Sequence, residues 1–145
     1  MKKNIAFRMN LIKVDQFAIM VEKPMNPDLV YSIDTAIRFG MTQDTKQLFC
    51  QYKTQYRNGN KTDLLIGVSC GFEIEPNSWN GLVDGETLSV PSSFLKYMGV
   101  QTIGITRGIL YEKTVGTVFD QLILPHVNLE AMITADQQFK MSGKE

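Results

Sequence analysis

Residues 47–72 read QLFCQYKTQYRNGNKTDLLIGVSCGF, and this stretch decides the fold. Leu48, Cys50, Tyr52, Thr54 and Tyr56 share one parity, while Gln47, Gln51, Lys53, Gln55 and Arg57 occupy the other. Alternation of that kind marks a strand with one face on a core. Arg57-Asn58-Gly59-Asn60-Lys61 is the strongest hairpin signal in the chain. Beyond it, Leu64, Ile66, Val68, Cys70 and Phe72 restore the even-numbered apolar set. Parity constrains the turn. A two-residue Asn58-Gly59 turn would pair Arg57 with Asn60 and put the two apolar rows on opposite faces, stranding one in water. A three- or five-residue loop, or a bulge, is therefore expected. With five residues, Cys50 falls directly opposite Cys70, and two reduced thiols pack there as small apolar groups.

Two further strands precede this hairpin. Residues 5–21 alternate through Ile5, Phe7, Met9 and Leu11, slip at Leu11-Ile12, and resume at Val14, Phe17, Ile19 and Val21. Such a slip marks a bulge or bend. Pro24 and Pro27 then signal a turn or linker, and a second strand runs from Leu29 to Phe39. After the hairpin, Glu75 to Ser89 is rich in turn formers and reads as a long loop carrying the only tryptophan, Trp79. Loops of that length inside a compact domain tend to be functional.

Pro91 to about Tyr111 reads as a helix, with Phe94, Leu95, Met98, Thr102, Ile105 and Ile109 at three- and four-residue spacing. Gly99, Gly104 and Gly108 form a small-residue row on one flank, which admits a second backbone. Leu122 to Pro125 reads as extended, and Asn128 caps a short helix through Leu129, Met132 and Ile133. A frayed tail over 135–145 is expected. Strands followed by helices give an α+β fold: a four-stranded antiparallel sheet, a long helix and a short C-terminal helix, in one domain spanning 1–145 with its core at about 5–134.

Composition narrows the function. Of 145 residues, 43% are hydrophobic, and fifteen Lys and Arg balance fifteen Asp and Glu. That balance gives no field to attract nucleic acid or an anionic membrane. The N-terminus lacks the apolar stretch of a signal peptide, no apolar run is long enough to span a bilayer, and two cysteines without a CxxC fit a reducing, cytoplasmic setting. His126 is the sole histidine and follows a proline, which suits a structural or surface role. Glu73 and Glu75 share a strand face and read as a solvated edge. No phosphate loop or catalytic motif is present, so no cofactor and no enzyme activity are expected. What remains is apolar and adaptable, with eight methionines and eight phenylalanines. Such content suits binding of other polypeptides. Trp79, Leu82, Leu88 and Phe94, in or beside the long loop, and Leu122, Leu124 and Val127 in the extended segment are the candidates for a binding surface.

One resemblance organises these features. Arg107-Gly108-Ile109, then Gly116, then Leu122-Ile123-Leu124-Pro125-His126-Val127-Asn128-Leu129-Glu130-Ala131-Met132-Ile133 resembles the SecB export chaperones. In that family a helix ends near a Ser/Thr-Arg-Gly segment, and an apolar stretch leads into a short helix. Leu64 to Phe72 is similar to the family's last strand and Phe7 through Pro24 to its first, so the likeness covers roughly 5–134. It implies a dimer of dimers with a groove for extended, non-native polypeptide and no need for ATP. The implied groove residues are Phe72, Trp79, Leu82, Leu88, Phe94, Leu124 and Val127. A subunit interface is expected at Leu64, Ile66 and Val68 or the opposite side of that strand, and at Gly99, Gly104 and Gly108. The family docks an export motor ATPase through acidic residues, which Asp15 and Glu22 match. Gly67 stands where the family carries a strand-borne Glu, and the chain ends Met141-Ser142-Gly143-Lys144-Glu145 without the family's acidic extension. Both departures weaken the motor partnership. Diverged SecB-like proteins also guard antitoxins of toxin–antitoxin pairs, which gives the alternative reading of a dedicated chaperone for one partner.

Overall fold

The computed structural model describes residues 4–21 and 31–142. Four long strands form one antiparallel sheet: β1 (Phe7–Ile19), β2 (Ser32–Thr42), β3 (Gln47–Asn58) and β4 (Lys61–Ile74), in the order β1-β4-β3-β2. A short helix α1 (Pro76–Leu82) leads into the small strands β5 (Val83–Asp84) and β6 (Thr87–Val90). The long helix α2 (Ser92–Lys113), the single turn α3 (Leu129–Met132) and β7 (Gln137–Lys140) complete the chain. The α+β architecture read from the sequence is the one observed. No helix among the described residues is long and apolar enough to cross a membrane.

The hairpin resolves its parity conflict with a bulge. Gly59, at φ +64°, and Asn60 make the turn, and Asn58 pairs with Lys61. Arg57 pairs with Thr62 but Tyr56 with Leu64, so Asp63 is the extra residue and every apolar side chain above it returns to one face. Cys50 faces Cys70, as the five-residue alternative had placed them. The first strand slips twice rather than once. Its inward residues run Phe7 and Met9, then Ile12 and Val14, then Phe17 and Ile19, with Asn10 and Asp15 as the extra residues. Each bulge turns a polar side chain onto the outer face: Gln47 donates to Asn10 at 2.6 Å, and Ser69 and Gln51 donate to Asp15. That face is a ladder of polar pairs, including Arg8–Glu73 at 2.8 Å and Arg57–Asp34.

Helix α2 lies on the inner face across β3 and β4. Its buried residues are Phe94, Leu95, Met98, Gly99, Thr102, Ile103, Thr106 and Leu110, so Ile105 and Ile109 are turned half out. The helix tolerates Thr102 and Thr106 in the core because each hydroxyl donates to the carbonyl one turn back, at 2.8 and 2.7 Å. Pro91 is the N-cap position itself, and the Ser92 amide is satisfied by Asp136 Oδ1 at 2.8 Å. Asn128 caps α3 as expected, its Oδ1 accepting from Ala131 N at 3.3 Å.

Two expectations need correction. Glu75 to Ser89 is not a loop. Glu75 accepts from the Ser78 amide at 2.9 Å and starts α1, Pro76 occupies its first turn, and Val83 to Val90 form β5 and β6. Trp79 and Leu82 are seven-residue-helix positions buried to 3% and 1% exposure, and Leu88 is fully buried. The tail is not frayed through 137–140, because β7 pairs with β6 from Gln137 to Lys140.

Candidate functional site

Strand β2 is a free edge of the large sheet among the described residues. Its inward side chains Ile33 and Thr35 are exposed, because α2 sits over β3 and β4 and does not reach them. The chain after α2 comes back over this margin. Thr114 closes the helix, Gly116 at φ +77° turns the chain, and Gln121 takes a left-handed φ of +55°. Leu122 to Asn128 then runs extended toward α3. A groove of about 340 Å³ lies between the two, lined by Ile33 and Thr35 on one side and Leu124, Val127 and Met132 on the other, with Tyr52 behind. Its walls are mostly apolar, and its size falls at the lower end of ligand clefts.

The floor is less apolar than the walls. Tyr52, Thr54 and Tyr56 lie on alternate positions of β3, facing inward beside Ile37, Thr35 and Ile33 of β2. Tyr52 and Thr54 are fully buried and Tyr56 is nearly so, yet none of the three hydroxyls has a hydrogen-bond partner among the described residues. Thr54 is close enough to Tyr52 to ease its ionisation but is not in hydrogen-bond geometry. Burial pushes the Tyr52 phenol up and that of Tyr56 to about 12. At the far end of the row Tyr31 stands edge-on to Tyr56 with ring centres 6.0 Å apart, and Phe119 lies 5.8 Å beyond Tyr31. The Tyr31 hydroxyl donates to the buried Asp63 at 2.8 Å, which fixes the bulge that ends the hairpin.

The residues singled out from sequence separate into groups. Leu124 and Val127 line this groove. Phe72, Trp79, Leu82, Leu88 and Phe94 do not: all five are core residues, packed by α1, β6 and the first turn of α2. Phe94 and Phe7 meet edge to face at 5.2 Å. Leu64, Ile66 and Val68 are buried within the protomer on the α2 side of the sheet. Gly99 is likewise an internal contact, because a Cβ there would stand 3.0 Å from Leu129 and 3.2 Å from Ile37. Gly104 and Gly108 have nothing within 4 Å and lie open beside the exposed Tyr97, Val100 and Tyr111. Asp15 lies on the outer face, held by Ser69 and Gln51, and Glu22 lies outside the described residues.

Among the described residues no catalytic constellation assembles. Glu73 is paired with Arg8 and Glu75 caps α1. Cys50 and Cys70 are free and buried, and burial pushes the Cys50 thiol to about 12, far from a nucleophile's range. Among the described residues no three His, Cys, Asp or Glu gather as a metal site. A hollow of about 740 Å³ at the sheet end near Gln43, Asp44, Lys46 and Asn80 is polar and open.

No protein-family model matches this chain, and no curated protein matches it in sequence. Solved structures do. A SecB-like chaperone from Mycobacterium tuberculosis, in complex with a ChAD peptide from the HigA1 antitoxin, superposes with a TM-score of 0.53 over 84% of this chain and 91% of that one, at 9% identity. A protein of unknown function from Streptococcus agalactiae superposes more loosely, with a TM-score of 0.44 over 85% and 99% at 13% identity. The first likeness establishes a SecB-like fold.

Proposed function

We propose that this protein of SecB-like fold is an ATP-independent chaperone holding extended, non-native polypeptide in the groove between β2 and the Leu122–Asn128 segment. The observation that carries the reading is the groove itself: apolar walls beside a free strand edge. An edge offers main-chain hydrogen bonds to any sequence, and shallow apolar pockets take alternate side chains, which together bind extended chains with little selectivity. The absence of a field of one sign argues for apolar rather than charge-driven capture. Release then comes from folding of the client or from hand-over, in the cytoplasm, without chemistry on the client.

A dedicated chaperone for one partner is the second reading. It is favoured by the antitoxin peptide bound to the Mycobacterium protein of the same fold. Aggregation assays separate the two. A general chaperone slows aggregation of several unrelated unfolded proteins at near-stoichiometric amounts, and added salt changes this little. A dedicated one protects a single partner and leaves the others to aggregate.

Assembly through α2 forms part of the proposal. Tyr97, Val100 and Tyr111 are exposed on the flank where Gly104 and Gly108 leave room for another backbone, and Ile12 and Val14 of β1 are exposed as well. A second copy covering this face gives the dimer unit of a homotetramer. Docking to an export motor has weaker support, since the Asp15 carboxylate is occupied by Ser69 and Gln51.

A further inference from the structure

Three buried hydroxyls without partners, in a row, need a physical reason. They sit at Tyr52, Thr54 and Tyr56, and the segment from Val115 to Val127 forms a strap beside the row, meeting Tyr52 across the groove and Tyr31 at the far end. Leu124 lines the groove with Tyr52 at one end, and at the other Phe119 packs on Tyr31, which itself stands edge-on to Tyr56. The way this strap is fastened is one-sided. Leu122 N donates to Thr114 Oγ1 at 3.0 Å, and Arg107 Nε donates to Leu124 O at 3.2 Å, so both bonds run to α2. Among the described residues no hydrogen bond ties Leu122–Val127 to β2 or β3. The strap also turns on Gln121, a non-glycine residue in the left-handed region, and is itself an extended apolar run with Ile123 65% exposed.

Resting on the chaperone reading above, we infer that the strap is a displaceable cover that lifts away from β2 to admit a client between them, and that the hydroxyls of Tyr52 and Tyr56 donate to main-chain carbonyls of the extended polypeptide that enters. The spacing fits. Tyr52 and Tyr56 are four residues apart on one strand, about 13.6 Å, which is twice the repeat of carbonyls along one edge of an extended chain, while the shorter Thr54 side chain keeps its hydroxyl below them. A helical client, with its carbonyls turned into its own ladder, has none to offer. Carbonyl recognition reads no side chain and accepts prolines, which lack the N–H but keep the carbonyl. In the resting state no described part of the strap bonds these hydroxyls, so lifting it loses apolar contact but gains hydrogen bonds.

The test removes the hydroxyls and keeps the shapes. Tyr52→Phe and Tyr56→Phe are combined, and binding of a reduced, carboxymethylated protein that cannot refold is measured beside thermal unfolding of the free chaperone. The expected result is an unfolding midpoint equal to or above that of the parent, with affinity weakened about tenfold or more. Undiminished affinity overturns the inference. So does a lowered midpoint, which would mean that the hydroxyls are already bonded at rest, through water or protein. A second measurement does not depend on that variant. Spin labels at Ile123 and Lys61, both exposed, should move apart when the same unfolded protein binds the otherwise unaltered chaperone. An unchanged distance with client demonstrably bound overturns the inference too. If the parent protein binds no unfolded polypeptide at all, the chaperone reading fails instead, and the two failures remain distinct.

Discussion

Leu129 of α3 packs onto Gly99 of α2 so closely that its Cδ1 lies 3.0 Å from where a β-carbon on residue 99 would stand. Ile37 of β2 closes the same space from the sheet at 3.2 Å. This one contact ties the short helix to the long one and to the edge strand, and so sets the width of the groove between β2 and the strap. Gly99→Val should therefore cost about 1–3 kcal/mol and loosen α3, because the branched side chain overpacks a closed site. Gly104 has nothing around it within the protomer, and Gly104→Ala should gain up to about 1 kcal/mol of protomer stability from helix propensity while crowding the second backbone proposed to lie there. Thermal melts of the two variants check both signs.

The flank around Gly104 carries the prediction about assembly. Val100 is 58% exposed, and its replacement by Asp should leave the protomer folded while lowering the particle mass in solution scattering. The reason is that a charge placed in a closely packed helix contact loses its water without gaining a partner. A parent protein that already scatters as a 16.4 kDa monomer at high concentration contradicts the proposed assembly.

Trp79 was legible as a large apolar side chain but not as a core residue. Pro76, Asn77, Asn80 and Gly81 imitate a loop, and only the Glu75 cap, three positions before Ser78, betrays a helix. Trp79→Ala should consequently cost about 3–5 kcal/mol of stability, read by chemical denaturation. A variant of near-parental stability would mean that the side chain is not in the core.

Much of the sheet could be read directly. The even-numbered rows of β3 and β4 and their parity conflict forced a bulge or an odd loop, and the bulge at Asp63 is there. In β1 the sequence reading names only one of the two slips: the break at Leu11-Ile12 is the bulge at Asn10, whereas the second, at Asp15, reads as alternation resuming from Val14 to Phe17. The groove was half legible. Leu124 and Val127 stood out as apolar residues in an extended segment, whereas Ile33 and Thr35 looked like any strand residues. Their exposure follows from where α2 lies, and alternation does not encode that. Thr54 amid an apolar row was the one sequence sign of the hydroxyl floor.

The cysteine pair makes stability fall in alkali. Burial raises the Cys50 thiol from 9.0 to about 12 and moves Cys70 in the same direction. The folded state therefore holds protons that the unfolded chain gives up, so stability is full below pH about 9 and is lost as pH rises toward 12. Tyr56, raised from 10.0 to about 12, adds to the loss over the upper part of that range. Denaturation of the parent and of Cys50→Ser at pH 8 and pH 10.5 checks the sign: the decline should be smaller in the variant, which has no thiol to ionise there. An equal decline would assign the effect to other groups.

The central claim is that extended polypeptide lies between β2 and the strap. Photo-cross-linking side chains placed one at a time at Ile33 and Met132, which line the groove, and at Lys53, which faces outward from the sheet, test it most directly. With a permanently unfolded client present, the account predicts adducts from Ile33 and Met132 and none from Lys53. Adducts from Lys53 with none from the other two would contradict it.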